Sequence, residues 1–158
     1  MRIVVLLFFT FLIVSCGNSG EEIKILMDDV KQDFAPDQRV ALFDVRAIKK
    51  GSKHVLEGKS NLPGAIESLI GKCEEAGLKV DNKIQLYPDK SLEGKHFGIV
   101  NLSVCNIRSN PSHSAELATQ AMLGTVIKLF TKQKNWYLVQ TPDGYLGWLD
   151  SGGFSLID

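Results

Sequence analysis

The sequence predicts two unlike halves, an α+β N-terminal region followed by an all-β small barrel. Two observations carry this reading. Apolar residues recur at helical spacing in the first half, at Ile23, Leu26, Met27, Val30 and Phe34, and again at Leu62, Ile66, Leu69, Ile70 and Cys73. In the second half that spacing gives way to short apolar runs separated by turn residues, the pattern of a small barrel or sandwich. Composition agrees with a folded chain: 158 residues with 44% apolar and 23% charged side chains are globular values, enough for one medium domain or two small ones.

The chain opens with Arg2 and then an apolar run from Ile3 to Val14, uncharged and with Thr10 as its single polar side chain. A bilayer-spanning helix needs about 20 apolar residues, so this run is too short to span and matches the export-signal pattern instead. The run ends in Ile13-Val14-Ser15-Cys16, which resembles a bacterial lipobox. The resemblance implies a lipoprotein signal peptide over residues 1–15, cleavage after Ser15 and acylation of Cys16. An ordinary signal peptide with an incidental cysteine is the alternative. Each buried acyl methylene contributes about 0.8 kcal/mol, and two or more chains hold a protein on a membrane stably. Residues 16–20, with Gly17, Asn18, Ser19 and Gly20 after the cysteine, then read as a lipidated tether.

Residues 21–90 read as a small α+β domain of order α-β-β-α-β. The Ile23–Phe34 stripe predicts the first helix, ended by Ala35-Pro36-Asp37. Arg39 to Ile48 reads as a strand with Ala41, Phe43, Val45 and Ala47 on one face. A turn at Lys49-Lys50-Gly51-Ser52 returns the chain as a second strand over Lys53 to Gly58. Pro63 suits the first turn of the second helix, with Ser60 or Asn61 as its cap and Gly77 as its stop. Val80 to Leu86 forms a third strand before Tyr87-Pro88-Asp89. The order resembles the small BON-type domains of envelope proteins; the simpler reading is a spacer.

A linker around Ser91-Leu92-Glu93-Gly94 leads to the barrel, residues 95–158. Its apolar runs are Gly98–Val104, Val126–Phe130, Trp136–Gln140 and Tyr145–Leu149. Pro142-Asp143-Gly144 has turn chemistry, and Gly124 and Gly147 suit sharp turns or close backbone approach. Trp136 and Trp148 supply large apolar areas, either in the core or as a ligand platform.

Several function classes are excluded by charge and residue usage. Eighteen Lys+Arg balance eighteen Asp+Glu, and losing Arg2 with the signal leaves one more acid than base. Such a body lacks the basic excess of a non-specific nucleic-acid binder. The three cysteines, Cys16, Cys73 and Cys105, cannot build a multi-bridge framework. Cys73 and Cys105 fall at packing positions, and His54, His96 and His113 lack zinc-ligand spacing, so neither a catalytic thiol nor a metal nor any other cofactor is expected.

Four stretches in the barrel resemble a bacterial SH3 (SH3b) domain: Val104-Cys105-Asn106-Ile107-Arg108-Ser109-Asn110-Pro111, Gly124-Thr125-Val126-Ile127-Lys128-Leu129, Asn135-Trp136-Tyr137-Leu138-Val139, and Asp143-Gly144-Tyr145-Leu146-Gly147-Trp148-Leu149. This implies an SH3-like small barrel. The run Ser112–Thr125, followed by Trp136–Tyr145, is similar to the first SH3b domain of NlpC-type cell-wall cysteine peptidases, the γ-D-glutamyl-L-diamino acid endopeptidases or dipeptidyl-peptidase VI. The stretch Pro36–Val45 resembles their upstream segment. That family continues into a papain-like domain with a D-C-S-G-like motif, whereas this sequence ends at Asp158 without one, so no catalytic residue is expected.

The resemblance implies that a carboxylate and a tyrosine recognise the free amino end of a peptidoglycan stem peptide; Glu116 and Tyr145 match best by position. Arg108 and Trp148 are further candidate ligand contacts, Arg108 with a structural loop role as its alternative. The expected protein is lipid-anchored in the cell envelope, on the periplasmic side of the outer membrane, and binds stem peptide without cleaving it. A separately supplied catalytic domain is a further expected partner; a fragment of such an endopeptidase and a scaffold for another envelope protein are the competing classes.

Overall fold

A computed structural model describes residues 19–51 and 53–157. The signal peptide, Cys16 and the first part of the tether lie outside the described residues. Ser19 and Gly20, expected in the tether, instead open the first helix, α1 (Ser19–Phe34). Glu21 and Glu22 lie in its first turn and Lys31 in its last, both favourable to the helix dipole.

Three strands follow in the expected order: β1 (Phe43–Lys50), β2 (Lys53–Ser60) and, after helix α2 (Pro63–Glu75), β3 (Val80–Leu86). The pair β1–β2 is antiparallel and β2–β3 parallel, with α2 as the crossover. Ile23 and Val30 of α1 meet Ala65, Ile66, Leu69 and Cys73 of α2, and Phe43 and Leu56 of the sheet, in one buried cluster. Alternation along β1 and β2 places Asp44, Arg46, Glu57 and Lys59 on the opposite face.

Two local expectations fail here. The first strand begins at Phe43, not Arg39, because the backbone before it is engaged elsewhere. Asp37 accepts the Arg39 N–H at 2.9 Å, and the Arg39 carbonyl accepts the Leu146 N–H of the barrel at 2.7 Å. Neither Ser60 nor Asn61 caps α2, whose N-cap is Leu62. The Ser60 hydroxyl donates to the Leu42 carbonyl and accepts from the Leu62 N–H, while the Asn61 side chain accepts from the Leu42 N–H. Their polar atoms tie the helix start to β1.

The stretch expected as a linker is built into the barrel. Lys90–Leu92 form a 3-10 turn capped by Asp89, and Leu92 is buried among barrel residues. Seven strands follow: β4 (Phe97–Val100), β5 (Val104–Arg108), β6 (Leu117–Met122), β7 (Val126–Gln133), β8 (Trp136–Gln140), β9 (Leu146–Asp150) and β10 (Phe154–Ile157), in the order β10-β4-β7-β8-β9-β5-β6. The Gly98–Val104 run is thus two strands. The chain changes partners at Asn101–Ser103: Asn101 donates to the Gly153 carbonyl and the Ser103 carbonyl accepts from Leu123.

The barrel core holds Val100, Cys105, Ile107, Ile127, Leu129, Tyr137, Val139, Leu149 and Phe154. Its aromatics are Tyr137 and Phe154, edge to face at 5.1 Å. Trp136 and Trp148 are absent from that cluster and are half-buried. Strand alternation explains it: each stands next to an inward residue, Tyr137 or Leu149, and so faces out. The core reading of both tryptophans is corrected.

Candidate functional site

Leu138 of β8 and Leu146 and Trp148 of β9, on the outward face, meet the α/β layer. Trp148 pairs with Leu138 across the β8–β9 ladder and with Arg108 of β5. Together with Leu146, Gly147 and Ser109, Trp148 and Leu138 line a cleft of about 210 Å³. The opposite wall comes from the α/β half: Gln38, Leu42, Lys59 and Tyr87. Pockets between structural units are frequent ligand sites, and the mix of aromatic, apolar and single charged groups here fits that type.

Hydrogen bonds across the boundary hold the walls in place. Besides the Leu146–Arg39 backbone bond, Gln140 Nε2 donates to the Val40 carbonyl at 3.0 Å and to the Gly144 carbonyl at 2.8 Å. Behind Tyr87, Asp89 accepts from the hydroxyls of Ser91 and Thr131 and from Gln85 Nε2, while its own N–H donates to the Phe130 carbonyl. Burial opposes the Asp89 charge, but the bonds donated by Ser91 and Thr131 hold its carboxyl below the ordinary range. Burial pushes the Tyr87 phenol up, aided by the nearby carboxylates of Asp89 and Asp44.

Glu116 and Tyr145 do not line the cleft, yet both stand at its border. Glu116 is exposed just before β6, and its carbonyl accepts the N–H of Ser109, a lining residue, at 2.9 Å. Tyr145 precedes Leu146, also a lining residue. The Arg39 guanidinium lies 5.8 Å from the centre of the Tyr145 ring, a cation–π distance, while bonding Asp37 through its side chain. The Arg39 hydrogen bonds hold the Asp37 carboxyl at about 2. Among the described residues, the Glu116 carboxylate, the Tyr145 hydroxyl and the Lys59 ammonium have no hydrogen-bond or ion-pair partner.

Arg108 is placed differently. One guanidinium nitrogen donates to the Ala115 carbonyl at 3.0 Å, which fastens the loop ahead of Glu116. Arg108 also lines a separate open groove with His113, Trp136 and Asp150. His113 packs 4.9 Å from the Trp136 ring and lies 3.8 Å from an Asp150 carboxylate oxygen. The two buried thiols are structural: Cys73 is fully enclosed in the α/β core, and Cys105 Sγ donates to the Gly153 carbonyl at 3.0 Å. Burial raises the pKa of both, the opposite of a nucleophile's requirement.

Sequence reasoning missed Lys59, Tyr87 and Gln38. In the sequence Lys59 falls just past the strand read over Lys53 to Gly58, and Tyr87 in the turn after the third strand. Only the docking of the barrel against Gln38–Leu42 makes them cleft-lining residues.

The fold and this site define a class: an SH3-like barrel joined to a helix-backed three-stranded sheet, with a cleft between them. Residues 107–153 match the family model of the bacterial dipeptidyl-peptidase SH3 domain. The match runs from the end of β5 through β9 and includes Arg108, Glu116, Tyr145 and Trp148. No curated protein matches the chain.

Proposed function

We propose that this chain is a lipid-anchored cell-envelope protein whose SH3b barrel binds peptidoglycan stem peptide, as the recognition part of a cell-wall peptidase rather than its catalytic part. The single observation that carries the reading is the match of residues 107–153 to the SH3 domain of bacterial dipeptidyl-peptidases. The unpartnered Glu116 carboxylate and Tyr145 hydroxyl at one edge of the cleft support it, since they offer a peptide ammonium a charge-assisted bond and a hydroxyl contact. The lipid anchor rests on the Ile13–Cys16 lipobox resemblance.

A chemical-shift titration of the full chain, kept soluble in a mild non-ionic detergent, tests the binding. L-alanyl-D-glutamate should bind weakly, near millimolar, about −4 kcal/mol, because the groups engaging it are exposed. Acetylating its amino end, or Glu116→Gln, should weaken binding, and Tyr145→Phe should weaken it less. Equal shifts from free and acetylated peptide would overturn the amino-end assignment. For the anchor, Cys16→Ala should abolish acyl-label incorporation in cells and release the protein from the membrane fraction. Retained label would overturn the lipid-anchor assignment.

A further inference from the structure

The cleft wall contributed by the α/β half carries a charge of the opposite sign to Glu116. Lys59 lies on β2 directly across from Asp44 and beside Gln85 of β3, yet forms an ion pair with no described residue. It shares the cleft with the Trp148 indole, the Tyr87 phenol and the Gln38 amide. A lysine in a cleft lined by two aromatic side chains, an amide and the apolar Leu42, Leu138 and Leu146 suits a small organic anion.

Size restricts the occupant. About 210 Å³ is below the roughly 300–1,000 Å³ of pockets that enclose drug-sized molecules, so the cleft has room for one end of a short peptide. Charge gives the direction. Lys59 lines the cleft and Glu116 adjoins it through its backbone bond to Ser109, so a carboxylate and an ammonium are both offered to a short zwitterionic peptide.

We propose that the cleft between the sheet layer and the barrel binds a carboxylate of the short acidic peptide whose amino end faces Glu116, with Lys59 as its charge partner and Trp148 and Tyr87 as its walls. This rests on the peptide-binding reading above and adds to it a second anchoring point, supplied by the half of the chain outside the matched SH3 segment. The N-terminal layer is then part of the binding site as well as a spacer.

The test is a titration of the full chain read at the Trp148 indole N–H, assigned with Trp136→Phe. Three probes are compared: L-alanyl-D-glutamate, its N-acetyl derivative and its dicarboxamide. Lys59 is exposed at the rim, so the expected effect is modest: the dicarboxamide should bind roughly fivefold more weakly than the diacid. Lys59→Met should weaken the diacid by the same factor and leave the dicarboxamide unchanged. If Lys59→Met and amidation have no effect while acetylation and Glu116→Gln do, the carboxylate site is overturned and the amino-end reading stands. If Lys59→Met weakens diacid and dicarboxamide alike, the lysine acts through packing and the proposal is overturned. If acetylation has no effect but amidation and Lys59→Met do, the carboxylate site stands and the amino-end reading falls.

Discussion

The two halves of the molecule use the outer faces of their sheets in opposite ways. On the three-stranded sheet that face is charged and largely paired within itself: Lys50 lies 2.7 Å and Arg46 3.9 Å from Glu57, and Lys83 lies 3.6 Å from Asp81. The β8–β9 face of the barrel instead presents Leu138, Leu146 and Trp148, and the α/β half covers them. One sheet is thus buried on one side only. The other is buried on its inner side and, along two strands, on part of its outer side. The cleft forms where the free end of the charged face, at Lys59, reaches the apolar face. The cleft takes its charge, Lys59, from one half and its Trp148 indole from the other.

Injuring each half separately has the largest expected effect. Gly58 has φ +133, and a Cβ there would lie 2.0 Å from the Asp44 carbonyl oxygen, a backbone atom of the paired strand. Gly58→Ala should therefore cost at least ~3 kcal/mol of stability by chemical denaturation. Gly147→Ala injures the barrel: its Cβ would meet Ile107 Cγ2 at 2.4 Å and the Arg108 carbonyl oxygen at 2.9 Å. The Ile107 side chain can shift in part, so a loss of about 2 kcal/mol is expected.

Each core holds one buried thiol, Cys73 or Cys105, which lets alkylation with peptide mapping report on each half. Because Leu92 is buried in the barrel while Asp89 and Tyr87 bond back to both halves, the two thiols should become reactive over the same denaturant range in either glycine variant. Reactivity of the injured half alone would show that the halves unfold independently.

Smaller changes sharpen the boundary itself. Gln140→Ala removes both bonds to the Val40 and Gly144 carbonyls, which should cost about 1 kcal/mol and increase amide exchange at Leu146. Acid titration should show a weaker effect still. Asp89 is held below its ordinary 3.8, so its contribution is complete above that pH and is lost as pH falls through its lower native value. In Asp89→Asn that part of the acid dependence should disappear from a denaturation series across pH 5 to 2. Asp37→Asn should change the acid limb least, since the Asp37–Arg39 pair is solvent-exposed, although Asp37 titrates at about 2.

Much of the fold was legible because periodicity reports burial directly. The stripes on α1 and α2 predicted Ile23, Val30, Ile66, Leu69 and Cys73, all of them buried, and Val80–Leu86 was read with its observed bounds. Strand β6 escaped because Leu-Ala-Thr-Gln-Ala-Met has little strand propensity, and pairing with β5 alone makes it a strand. Of the four candidate residues read from the sequence, Trp148 lines the cleft, and Glu116, Tyr145 and Arg108 do not. Glu116, Tyr145, Arg108 and Trp148 lie on the matched barrel, where order and spacing of residues carry a family pattern.

Residue spacing along one stretch of chain set the two secondary-structure regimes, the separate cores and the barrel's match to the SH3 family model. Tertiary structure alone decided that the Arg39 and Val40 carbonyls bond to the barrel instead of extending β1, that Trp148 faces outward into a cleft, and that Lys59 and Tyr87 line it there. Those outcomes depend on which faces meet across the two halves. Spacing within one segment cannot specify the partner that a distant segment supplies.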